Sequence, residues 1–71
     1  MNTYHLFHRG LCFAVVDARP GSSVFEVRQA ARRAAAAGQL QHDPSFAGDE
    51  LAAAIDDCAV RMELPGFPTL L

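Results

Sequence analysis

Thr3-Tyr4-His5-Leu6-Phe7, then His8-Arg9-Gly10, then Leu11-Cys12-Phe13-Ala14-Val15-Val16: two runs rich in aromatic and β-branched side chains flank a single glycine. Residues 3–16 therefore read as a β-hairpin, with Arg9-Gly10 as a two-residue turn. If His8 pairs with Leu11, Leu6 falls opposite Phe13 and Tyr4 opposite Val15. One face then carries Tyr4, Leu6, Leu11, Phe13 and Val15, and this is the expected core face. The other carries Thr3, His5, Phe7, Cys12, Ala14 and Val16, which is apolar enough to call for a covering helix or a partner. Arg-Gly fixes a register less firmly than Asn-Gly, and a slip of one residue would exchange the two faces.

Downstream the period changes. Asp17 to Ser23 is a loop punctuated by Pro20-Gly21, and Ser23 with Glu26 forms a capping box. The helix it opens, Val24 to Ala37, is rich in alanine and arginine and ends at Gly38, where a left-handed cap is wanted. Its apolar stripe is Val24, Val27, Ala31, Ala34 and Ala35; Phe25 lies off that stripe and needs its own pocket. Gly38 to Gly48 is a connector that turns at Asp43-Pro44, with Leu40 and Phe46 plugging it into the core. A second helix begins at Asp49-Glu50, acidic residues suited to the amino-terminal end of the helix dipole, and runs to about Asp57.

Past Asp57 two readings compete. Leu51, Ile55, Cys58 and Met62 keep helical spacing, and Asp57 with Arg61 makes an i,i+4 pair, so the helix could reach Leu64. Val60-Arg61-Met62-Glu63-Leu64 alternates and stops at Pro65-Gly66, which favours a third strand completing the hairpin sheet. The expected fold is thus one small α+β domain over residues 1–71. Its order is β-β-α-α-β, with the helices on one face of the sheet and residues 66–71 as an apolar tail.

Composition bounds what such a chain does. At 71 residues there is room for one small core. Thirteen of the apolar residues are alanines that bury little surface, so the core rests on the larger side chains. All six basic residues are arginine, a bias expected of a GC-rich bacterial coding sequence. A net charge of −2 with abundant aliphatics argues against disorder. No apolar run nears the roughly 18 residues a membrane span needs, and the amino terminus lacks a basic-then-apolar signal pattern. A cytoplasmic location is expected, with Cys12 and Cys58 as two buried, reduced thiols.

Candidate chemistry is sparse. His5, His8 and Cys12 are close in sequence, but on a strand His5 and His8 point to opposite faces, and no second ligand pair follows; His42 stands alone. No metal and no cofactor is expected. Cys58 sits beside Asp56 and Asp57, which raise a thiol pKa, and Cys12 has no adjacent cation, so both should be inert. Asp56 and Asp57 diverge by about 100° on a helix and make no acid/base dyad. Without a nucleophile elbow or phosphate loop, no catalytic residue is expected.

Two surfaces remain. Arg28, Arg32 and Arg33 form a basic face opposite the alanine stripe, a candidate phosphate contact for a nucleic-acid-binding regulator. Phe7, Val16, Phe25, Phe67, Leu70 and Leu71 find no obvious home in so small a core and are the candidate partner-binding residues. Basic residues also cluster from Arg9 to Arg33 and acidic ones from Asp43 to Glu63. That asymmetry suits either pairing of the two helices within one chain or an antiparallel homodimer. The expectation is a small non-catalytic protein-binding or regulatory module, a homodimer or the partner of another protein. A phage- or mobile-element-type inhibitor is one version, on size alone; the nucleic-acid regulator is the alternative, and no membrane association is expected.

Overall fold

A computed structural model describes residues 1–62. Strands β1 (Asn2–His8) and β2 (Leu11–Ala18) form the hairpin, and α1 spans Val24–Ala36. A two-residue strand β3 (Gln41–His42) follows, then α2 (Asp49–Asp56) and β4 (Ala59–Met62). The α+β class and the β-β-α-α-β order are as expected; the connector contributes β3 as a short extra edge. All pairs are antiparallel, in the order β3-β2-β1-β4. Past Asp57 the chain is a strand, with Val60 opposite Leu6 and Arg61 opposite His5. Glu63, Leu64 and the tail 66–71 lie outside the described residues.

The turn has both central residues at positive φ, 54° at Arg9 and 80° at Gly10. This backbone matches the twist of a two-residue hairpin, and glycine adopts it without strain. It sets His8 opposite Leu11 and Phe7 opposite Cys12, as expected. One step further the ladder is irregular: Leu6 faces Ala14, His5 faces Val15 and Tyr4 faces Val16. The expected pairs Leu6–Phe13 and Tyr4–Val15 are therefore not formed.

Phe13 is an extra residue in β2, a β-bulge, and from there the strand's two faces exchange. Phe13 and Ala14 are both buried, Ala18 is buried too, and Val16 packs against the core. Val15 moves to the opposite face. Leu11 is on the core side by register but sits at the tip, 74% exposed.

The capping box forms as read: Ser23 Oγ accepts from the Glu26 amide at 3.1 Å, and the Glu26 carboxylate accepts from the Ser23 amide at 2.8 Å. Two amides at the start of α1 are thereby satisfied. Ser23→Ala is expected to cost about 1 kcal/mol, read as a lower urea midpoint at unchanged slope. Glu26→Gln, which keeps the reciprocal bond, should cost less. At the other end Gly38, with φ of 71°, closes the helix, and the Gln39 amide bonds the Ala34 carbonyl at 2.8 Å.

Both helices lie on the face of Tyr4 and Leu6. From α1 come Val27 and Ala31, and from α2 come Leu51, Ala54 and Ile55. Leu40 is buried and Phe46 packs against the cluster, so the connector is plugged in as expected. Phe46 stacks at 5.1 Å on Phe13, and His8 meets both rings edge-on. Asp43 holds the connector turn by accepting from the Ser45 amide and hydroxyl, each at 2.9 Å. Those bonds, the amide first, hold its carboxyl below the ordinary aspartate range. The stabilisation they give is present above the unfolded pKa and is lost as pH falls through the lowered one. Val24, placed in the helix stripe by its spacing, is 47% exposed because it precedes the first turn that reaches the sheet.

Candidate functional site

The helices cover one face of the sheet and leave the other uncovered. By register that open face carries Thr3, His5 and Phe7 from β1, Cys12, Val15 and Asp17 from β2, Gln41 from β3, and Ala59 and Arg61 from β4. None of these side chains is buried. The Arg61 guanidinium lies over the Phe7 ring, 5.4 Å from its centroid, a cation–π contact that keeps a charge beside an aromatic surface. Thr3 Oγ1 donates to Asp17 Oδ1 at 2.8 Å, across the hairpin. Phe7 and Val15 are half-buried by these neighbours and still offer apolar surface between the polar groups.

The expected partner-binding residues separate. Phe7 is on the open face. Val16 is not available, because the bulge turns it inward against the core. Phe25 finds no pocket of its own and is 67% exposed on α1. Phe67, Leu70 and Leu71 are outside the described residues. Val15, read as a core residue, takes the place that Val16 was expected to hold.

The arginine trio does not stand free either. Arg28 reaches across α1 and donates from Nη2 to the Cys58 carbonyl, tying the helix to the start of β4. Its Nε is buried and has no hydrogen-bond partner among the described residues. Arg32 pairs with Asp56 of α2. Of the two arrangements that the charge asymmetry suggested, the pairing within one chain is thus present. Arg33 stays exposed beside a shallow groove of about 690 Å³ that includes Ala30, Ala34 and Gln39. Arg32 is exposed as well but already paired, and two exposed arginines of the trio on a chain of net charge −2 are a small electrostatic footprint for a polyanion.

Of the two cysteines, Cys58 is buried as expected and Cys12 is not. The Cys58 thiol donates to the Ile55 carbonyl at 3.1 Å, whereas Cys12 is exposed on the open face. The Cys12 sulfur lies 3.8 Å from His5 Nδ1 and 3.6 Å from the Ala14 carbonyl. The pairing Phe7–Cys12 makes His5 and Cys12 diagonal neighbours on one face, a juxtaposition already implied by the hairpin register. His8 is on the other side among Phe13 and Phe46, so His5 and His8 are separated as strand geometry requires. Among the described residues no three His, Cys, Asp or Glu side chains form a metal-binding group. No helix among the described residues is long and apolar enough to cross a membrane. No family model matches the chain, and comparison with curated proteins and with solved structures gives no match.

Proposed function

We propose that this chain is a small, non-catalytic, cytoplasmic protein-binding module whose contact surface is the open face of its sheet, and that it self-associates through that face. The observation that carries this reading is the one-sided layering. A four-stranded sheet with both helices on one side leaves Phe7 and Val15 between polar neighbours on the other, a mixed surface of the kind found at protein contacts. Regulation by contact needs no catalytic residue.

Sedimentation velocity across micromolar concentrations tests it. The parent protein should show a mass rising towards two chains, and the double variant Phe7→Glu, Val15→Glu should stay monomeric with unchanged circular dichroism. Those positions are half-buried on a solvated face, so the charges perturb contact more than folding. A parent chain that is monomeric throughout, or a variant that associates like the parent, removes the open face from consideration.

A further inference from the structure

We infer that the His5–Cys12 pair is half of a zinc site, completed by the same two residues of a second copy when two open faces meet. This rests on the reading of the open face as a self-association surface and adds the ligand that holds it. The geometry carries the inference. In a tetrahedral site with Zn–S near 2.3 Å and Zn–N near 2.1 Å, neighbouring sulfur and nitrogen ligands lie about 3.6 Å apart. Cys12 Sγ and His5 Nδ1 are 3.8 Å apart, so one chain already presents two ligands at nearly the separation the ion imposes.

Position is the second observation. In the order β3-β2-β1-β4 the pair lies between β1 and β2, the middle of the sheet, and about midway along β1. A two-fold axis passing beside it superimposes the two open faces almost completely. Stacked sheets are about 10 Å apart, which puts an ion in the middle plane about 5 Å from each, within reach of an imidazole and a thiolate.

Area is the third. Strands of seven, eight, two and four residues, at about 3.3 Å per residue and about 4.8 Å apart, present roughly 330 Å² per copy. Two such faces fall short of the interfaces that specific complexes bury, so the contact alone makes a weak dimer. A metal cross-link at its centre supplies what the area does not. The charge also balances. Each Cys12 thiol releases its proton to solvent and gives up its bond to the Ala14 carbonyl as its Zn–S bond forms. Two thiolates and two neutral imidazoles then leave the Zn²⁺ site with no net charge, so the nearby Arg61 does not oppose it. One sulfur and one imidazole per chain is a donor set that suits zinc better than hard cations such as magnesium or calcium.

The test uses the full chain, kept reduced, with Zn²⁺ or Co²⁺ as the only added ligand. Co²⁺ should develop the visible absorption of a tetrahedral ion and a thiolate charge-transfer band, saturating at one ion per two chains. Zn²⁺ should displace it and tighten the dimer by at least about tenfold over the chelated protein. Cys12→Ser should abolish the charge-transfer band and the metal effect; His5→Gln should weaken both, while each variant keeps the parent's circular dichroism. Saturation at one ion per chain without a mass change, a disulfide-linked dimer as the only Cys12-dependent species, or association indifferent to chelator and to Cys12→Ser would each overturn the zinc site. The last of these leaves the open face standing as a contact surface. A parent that stays monomeric under every condition overturns both, as does a Phe7→Glu, Val15→Glu variant that associates as the parent does.

Discussion

Leu6→Ala lowers the unfolding free energy by about 2–5 kcal/mol, enough to leave much of the chain unfolded at 37 °C. Leu6 is fully buried at the centre of the middle strand, with Ala14 opposite it on β2 and Val60 on β4. The α1 residues of the same buried cluster, Val27 and Ala31, are small side chains too. Neighbours this small cannot reach into the vacated space, so the cavity term is kept instead of relaxing away. A domain of 71 residues has roughly 4–11 kcal/mol in total, so one truncation removes a large share of it. Each kilocalorie moves the midpoint of a domain this small by about 4–8 °C. Thermal and urea unfolding followed by circular dichroism check the result. A loss under about 1 kcal/mol would mean that the core is looser than the burial of Leu6 implies.

The parts of this fold legible in the sequence are those set by local chemistry. Arg9-Gly10 named the turn, Ser23 with Glu26 named the start of α1, and Gly38 named its end, because each depends on a few consecutive residues. The strand after Asp57 was separable from a longer helix by its alternation, and the sheet's need for another partner pointed the same way. The two-residue strand β3 was not legible. Gln41 and His42 have no strand character of their own and pair with β2 only because Leu40 and Phe46 pin the connector beside it.

The candidate site was legible in part. Alternation put His5, Phe7 and Cys12 on one face, and that grouping survives, since all three precede the bulge. Val16 and Val15 exchanged places because they follow it. The arginines illustrate a different limit: spacing along α1 gives their direction from the helix, and only the tertiary structure shows what they meet. Arg28 ends on a carbonyl thirty residues away and Arg32 on Asp56, partners that no local pattern announces.

The bulge itself had a signal, and it is the basis of the second large effect. Regular pairing continued from His8–Leu11 would set Asn2 opposite Asp17 and turn the Asp17 carboxylate to the core side. The hairpin was read as ending at Val16, so this conflict did not arise; β2 in fact runs to Ala18. One extra residue at Phe13 resolves it by sending Asp17 outward to Thr3 and bringing Ala14, Val16 and Ala18 inward. Phe13 is held in place by its ring, buried against Phe46 and His8. Phe13→Ala should therefore cost about 3–5 kcal/mol, the range for deleting a buried aromatic side chain. The strand cannot escape by slipping into regular register, because burying a carboxylate with no partner costs at least as much. Phe13→Leu, which retains most of the apolar bulk, should cost clearly less and preserve the Leu6–Ala14 pairing in cross-strand nuclear Overhauser effects. If Phe13→Ala instead folds stably with Leu6 opposite residue 13, the ring is not what holds the bulge, and the exchange of faces along β2 must originate in the helices beneath it.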